Sequence, residues 1–176
     1  MTKSEVRTLS ILKMGIQPGD VIWDIGAGTG SISVEIAYNY PDTKIIAIER
    51  NPEAISLIRD NMTHFKVSNI EIIQGLAPDV FSKLEPPTTV IIGGSGGNLS
   101  EILNLLWSYN SLRHIVINAV TLNTAYQAID FLNQKNALVD SFQMSISVVE
   151  MIKDYQMLKA QNPIFIISGK KQEELS

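Results

Sequence analysis

The sequence predicts an α/β fold: a mostly parallel, seven-stranded sheet with helices on both faces and one antiparallel strand near the C-terminus. Three observations carry this. Short apolar runs of strand length alternate with segments whose apolar residues recur at helical spacing. A glycine turn, Gly26-Ala27-Gly28-Thr29-Gly30, joins the first such strand to a helix. The last two strands follow one another with no helix between them, which calls for one reversed strand.

The elements follow in order. Thr2-Lys3-Ser4-Glu5 has the Thr-x-x-Glu form of a capping box. Val6, Leu9, Leu12 and Lys13 continue with helical spacing, and Gly15 is the expected stop. The turn Gln17–Asp20 leads into a buried strand, Val21–Ile25. After the glycine turn, Ile32, Val34, Ile36 and Ala37 form the inner side of a helix that Pro41-Asp42 ends. Lys44–Glu49 reads as the second strand. Asn51-Pro52-Glu53 is a helix start, with an amide cap, proline in the first turn and an acid against the dipole. Ala54, Ile55, Ile58, Met62 and Phe65 are the expected inward stripe of that helix. Strands at 70–73 and 89–92 come next, then a helix over 99–107, a strand over 115–118 and a helix over 121–131. Two closing strands are expected near 141–149 and 163–168, joined by a loop.

The 176 residues fit one domain, 1–176, with enough chain to bury a substantial core. No repeat, long linker or low-complexity run divides it. The apolar fraction of 45% is that of a globular protein, and the longest apolar runs are far shorter than the ~20 residues of a membrane helix. There is no basic-then-apolar leader, so a cytoplasmic protein without membrane association is expected. Cysteine is absent, and His64 and His114 lie far apart, so no metal site is expected. The net charge of −4 argues against a nucleic-acid partner, which selects a basic stripe.

The strongest chemical signal is Val21 to Gly30. A glycine turn between a first strand and a helix lets the backbone approach a nucleotide cofactor closely, as in Rossmann-like folds. Glu49, at the end of the second strand, stands at the right distance for a bidentate hydrogen bond to ribose hydroxyls. The dinucleotide fingerprint wants glycine where this chain has Ser31, and no carboxylate beside a pyrophosphate. Here Asp24 sits two residues before the first glycine. S-adenosylmethionine carries no phosphate but has an ammonium and a sulfonium, which a carboxylate favours. That cofactor fits better than a dinucleotide. After the fourth strand, Gly93-Gly94-Ser95-Gly96-Gly97 stands where amine methyltransferases carry a side-chain motif that grips the target amine. Glycines there let a bulky substrate lie on the backbone, and amides at the next helix start can receive carboxylates.

Several segments together resemble one family: 2–7, 23–30, 48–52, 92–97, 118–122 and 157–163. It is the cobalt-precorrin-6B C(15)-methyltransferase (decarboxylating) family of cobalamin biosynthesis, and the likeness runs along nearly the whole chain. The resemblance implies a class I methyltransferase fold and a stand-alone enzyme that works alongside a companion carbon-5 methyltransferase. It implies methylation of carbon-15 of an anionic corrinoid, cobalt-precorrin-6B, with loss of carbon dioxide from the carbon-12 acetate. It also implies a homo-oligomer, a tetramer. Carried over by position, the cofactor contacts are Thr2, Gly26, Ala27, Gly28, Thr29, Gly30, Glu49 and Ala77. Thr2 can equally be a plain helix cap. The pattern departs at Leu76, where the family has an acid before Ala-Pro. Adenine recognition here is therefore expected to rest on the backbone of Ala77 and on packing of Leu76.

Methyl transfer needs in-line positioning, and the conjugated ring can itself act as electron sink for decarboxylation. No covalent nucleophile is required, and no Ser-His-Asp set is recognisable. Ser95, Asn118 and Thr121 are the candidate polar groups facing the ring, and Lys3 and Arg7 the candidate partners of its carboxylates. Two other readings stay open: RNA or protein methylation on the same fold, and a non-catalytic cofactor-binding subunit.

Overall fold

The computed structural model describes residues 3–172. Seven strands form one sheet in the order β3-β2-β1-β4-β5-β9-β6. Their ranges are β1 Val21–Ile25, β2 Lys44–Glu49, β3 Ile70–Gln74, β4 Thr89–Ile92, β5 His114–Ala119, β6 Leu138–Met144 and β9 Ile164–Lys170. The first five pair in parallel, while β9 runs antiparallel to both β5 and β6. The helices are α1 Ser4–Lys13, α2 Ser31–Asn39, α3 Pro52–Phe65, α4 Leu99–Ser108 and α5 Leu122–Gln134.

Strand alternation explains the two cores. Side chains at successive positions point to opposite faces. Ile22, Ile45, Ala47, Ile91 and Val116 pack under α1, α2 and α3 on one face. Trp23, Ile25, Ile46, Ile48, Val90 and Ile115 pack under α4 and α5 on the other. Trp23 is fully buried, packs at a tilt against Phe81 with centroids 4.8 Å apart, and donates its indole N–H to the Glu85 carbonyl at 3.0 Å. Burial on both faces is why these strands read as continuous apolar runs rather than alternating ones.

Local chemistry sets most boundaries. The Asn51 side chain accepts the Glu53 amide at 2.9 Å, and Pro52 opens α3. Helix α1 starts at Ser4 with Lys3 in the cap position and no side-chain cap, so the capping-box register is not the one adopted. Thr2 lies outside the described residues. Within α1 the buried side chains are Val6, Ser10 and Ile11, whereas Leu12 faces solvent. Phe65, expected inside, is half exposed at the end of α3 beside His64.

The C-terminal third departs most from expectation. The span expected as one strand near 141–149 is broken between β6 and a separate strand, β7 Ser147–Ile152. The expected loop contains β8 Tyr155–Ala160, which pairs with β7 as a two-stranded hairpin apart from the main sheet. The β8 residues are all exposed, and their apolar members lack the regular alternation that marks a half-buried strand. Among the described residues no helix is long and apolar enough to cross a membrane, and no group of three or more acidic, histidine or cysteine side chains is placed to hold a metal ion.

Candidate active site

The parallel strands β1, β2 and β4 all end at the same edge of the sheet, and the turns leaving those ends meet there. Gly26 donates to the Ile48 carbonyl at 3.0 Å, and Gly93 to the Ile25 carbonyl at 2.9 Å. The two turns touch main chain to main chain. A Cβ on Gly26, which has φ +71°, would lie 2.6 Å from the Gly94 carbonyl oxygen. Gly28, φ +58°, instead faces open space. Its missing side chain leaves room for something other than protein.

A cavity of about 380 Å³ opens over this turn, lined by Asp24, Gly26, Ala27, Gly28, Thr29 and Gly93, with Lys3 and Asn118 at its sides. Asp24 is almost completely buried, and the Ser33 hydroxyl donates to it at 2.6 Å. Loss of solvent pushes its pKa up to about 6, against the lowering effect of the Ser33 bond; the Glu49 charge adds a smaller upward push. A desolvated carboxylate at the floor of a cavity favours a cationic guest and opposes a phosphate. Ser33 escaped the sequence reading. Its signal was a polar residue within the apolar inner side of α2.

A second cavity, about 230 Å³, shares Gly26 with the first and is lined by Ile48, Glu49, Arg50, Leu76, Ala77 and Gly96, among others. Glu49 is heavily engaged. Its Oε1 accepts the amides of Arg50 at 2.9 Å and Asn51 at 2.8 Å, and its Oε2 accepts the Gly28 amide at 2.8 Å. A carboxylate offers about four lone-pair directions. Three are occupied, so the expected bidentate contact reduces to one free position, on Oε2. Glu49 therefore also holds the glycine turn in shape. Leu76 packs toward the loop after β4, with its Cδ1 3.4 Å from where a Gly96 Cβ would sit.

The remaining candidates divide. Gly93, Gly94, Ser95 and Asn118 line a third, smaller cavity of about 170 Å³ between the ends of β4 and β5; Gly94, Ser95 and Gly96 also line the second. Gly97 lines none of these three. The Asn98 side chain does not cap α4, so the amides of that helix start are left to other partners. Thr121 is not brought to the cavities; it caps α5, accepting the Thr124 amide at 3.2 Å. Arg7 is not brought there either. Its guanidinium pairs with Glu35 of α2 and lines a separate groove with Tyr38, His64 and Phe65. The first cavity also gains Met144, Ile146, Asn162 and Ile164, from the segments on either side of the hairpin. No spacing signal in the sequence marked these.

The strand order, the glycine turn after β1 and the acid ending β2 define a Rossmann-like methyltransferase fold. Solved structures place it there: an S-adenosylmethionine-dependent O-methyltransferase from Thermotoga maritima shares the fold at TM-score 0.76 and 12% identity, covering all of this chain and 68% of that one. The chain belongs to the precorrin methyltransferase domain family, whose profile matches residues 1–171. It is 33% identical to the cobalt-precorrin-6B C(15)-methyltransferase (decarboxylating) of Salmonella typhimurium, over 98% of this chain and 90% of that protein. It is 36% identical to the probable enzyme of the same name from Sulfurisphaera tokodaii, over 97% and 90%. The crystal structure of precorrin-6y C5,15-methyltransferase from Geobacter metallireducens superposes at TM-score 0.89 with 36% identity, covering 98% of this chain and 90% of that one.

Proposed function

We propose that this chain, acting as a single domain, uses S-adenosylmethionine to methylate carbon-15 of cobalt-precorrin-6B and releases carbon dioxide from the carbon-12 acetate, giving cobalt-precorrin-7. The observation that carries the cofactor assignment is the desolvated Asp24 beneath the glycine turn, next to the pocket of Glu49. The family relationship carries the substrate. Bound across the two cavities, S-adenosylmethionine supplies an electrophilic methyl group. The protein orients and desolvates. Asp24 provides counter-charge, Glu49 a ribose acceptor, and the walls formed by Leu76 and Ala77 an apolar place for adenine. The loop Gly93–Gly96 presents backbone instead of side chains, which leaves room for a flat macrocycle. Lys3, at the side of the first cavity, is the cation for an acetate or propionate. Incubating purified protein with cobalt-precorrin-6B and the cofactor should give a corrinoid that has gained one methyl group and lost carbon dioxide by mass spectrometry. An unchanged corrinoid overturns the proposal.

The exposed hairpin suits a homo-oligomer, of the tetrameric kind that the family resemblance implies. Val149, Met151, Tyr155, Met157 and Leu158 are all more than half exposed on it. An isolated two-stranded hairpin is marginal in water and gains from a cover. A monomer in analytical ultracentrifugation counts against this. A companion carbon-5 methyltransferase acting on the same ring completes the proposed setting.

Substitutions at two positions test the cofactor pocket. Glu49→Ala should weaken S-adenosylhomocysteine binding by about 1–3 kcal/mol, since a charged acceptor is lost and the Gly28 amide is released. Calorimetry showing unchanged affinity removes Glu49 from the site. Leu76→Ala should weaken binding through lost apolar contact, by about 1 kcal/mol, whereas Leu76→Asp should change it little. Equal affinities for Leu76→Ala and the parent place the leucine away from the ligand.

A further inference from the structure

On the side of the sheet that α1, α2 and α3 cover, apolar surface continues past the last buried layer. Val116 on β5 and Ile166 on β9 are buried there, and alternation turns Val120 and Ile164, an even number of residues away, to the same face. The register pairs Ala119 with Phe165 and Met144 with Ile164, so Val120, just past the end of β5, comes level with Ile164. Val120, Ile164 and Met144 thus make one row across β5, β9 and β6, with Ile146 beside it. All four line the first cavity. Met144, Ile146 and Ile164 rest on the core beneath and are only partly covered, and Val120 is 70% exposed.

This row lies away from the place that the cofactor reading gives to S-adenosylmethionine. Neighbouring strands are about 4.8 Å apart, so the row begins about 10 Å from β1 and ends about 19 Å from it. The groups assigned to the cofactor stand at the ends of β2 and β1: Glu49 for the ribose, Asp24 and the glycine turn for the charged end. Strand β4, which ends in Gly93, separates them from the row. The rest of the cavity is therefore a level apolar wall about 10 Å wide. Lys3 and Asn162, both exposed, border the same space. Val120 also borders the smaller cavity beside Gly93, Gly94 and Ser95, so the wall runs on to the loop that presents only backbone.

We propose that Val120, Ile164 and Met144 are positioning residues that hold one flat face of the corrinoid while carbon-15 meets the methyl group. The inference rests on the cobalt-precorrin-6B reading above. A corrinoid has apolar faces and a rim of acetate and propionate groups. The row matches the face, and Lys3 and Asn162 match the rim. Apolar contact strips water from the ring without fixing a direction, so the polar groups at the edge set the rotation of the disc. Val120 and Ile164 are branched at Cβ and stiff, and they offer a fixed surface at little entropic cost. Methyl transfer needs that fixity, because a ring displaced by about 1 Å loses in-line attack.

The test is steady-state turnover of cobalt-precorrin-6B, alongside calorimetric titration with S-adenosylhomocysteine. Val120→Asp sets a charge against the ring face and should raise KM for the corrinoid about tenfold or more, with kcat within about threefold of the parent. Val120→Ile keeps a branched apolar surface and should leave KM within about twofold. Met144→Gln, of nearly the same shape, should raise KM about threefold. All three variants should bind S-adenosylhomocysteine as the parent does. An unchanged KM in Val120→Asp, or a matching loss of S-adenosylhomocysteine affinity, overturns the assignment. So does a Val120→Asp protein that sediments as a smaller assembly with its KM unchanged, since the row then faces a second copy of the chain. A parent protein that leaves cobalt-precorrin-6B unaltered defeats the functional reading itself, a result distinct from all of these.

Discussion

Asp24→Asn is expected to abolish measurable S-adenosylhomocysteine binding while making the ligand-free protein more stable. Both effects come from one buried charge. The Asp24 carboxyl is pushed from 3.8 to about 6 chiefly by burial, so the folded state holds its proton to higher pH than the unfolded chain does. The sign follows: folded-state proton uptake exceeds that of the unfolded state between these two values, and stability falls as pH rises through that window. Above it the full penalty is present, about 3 kcal/mol at roughly 1.4 kcal/mol per unit. Below the lower value it vanishes. Asparagine carries no such penalty and can still accept from Ser33. Chemical denaturation of the ligand-free proteins should therefore show the variant ahead at neutral pH, with the gap closing toward pH ~4. Binding runs the other way. A ligand that turns its ammonium toward Asp24 needs the ionised carboxylate, so parent affinity should weaken about tenfold per unit of pH below about 6. A parent affinity that stays flat through this range shows that Asp24 does not face a cation.

Gly28→Val is expected to give a folded protein that binds no cofactor, and Gly26→Val a protein that folds poorly. The contrast is sharp because the two glycines share a turn and a positive φ but have different neighbours. At Gly28 an added Cβ meets nothing within 4 Å, so valine suffers only left-handed backbone strain, about 1–2 kcal/mol or somewhat more for a branched side chain. The side chain then occupies ligand space. At Gly26 the same atom meets the Gly94 backbone at 2.6 Å, and the β1 and β4 turns must part. Thermal melts by circular dichroism with parallel titrations separate the two. Normal binding by a folded Gly28→Val defeats the assignment of the glycine turn to the cofactor.

Why some elements were legible and others not has a physical basis. Strands β1, β2 and β4 were read to the residue because they are buried on both faces and bounded by turns and caps whose chemistry is local: Gly26, Pro41, Asn51, Gly93. That Asp24, Glu49 and the glycine turn meet at one sheet edge was legible for the same reason, since strand ends dictate what stands there. Phe65 was misplaced because helical periodicity fixes a face only to within a residue or so at helix ends. The β7–β8 hairpin was missed because its exposed apolar residues carry no regular alternation. Arg7 and Thr121 were candidates for the site as a cation and a polar group in segments that carry the family resemblance. The contacts the structure gives them, an ion pair between Arg7 and Glu35 and a helix cap by Thr121, depend on partners that no spacing reveals. The triple use of Glu49 as acceptor was invisible for the same reason.

The position of β9 bears on how this molecule is completed during synthesis. Among the described residues, strand β6 hydrogen-bonds to β9 and to no other strand, and β9 lies between β6 and β5. While residues 164–170 are still inside the ribosome, β5 presents an open edge and β6, although already made, has no strand to pair with. The parallel half of the sheet can assemble in the order in which it emerges, whereas its other end waits for the last strand to slide in. Ile164 on that strand also walls the first cavity. A nascent chain therefore has its glycine turn and both carboxylates long before it has a closed site.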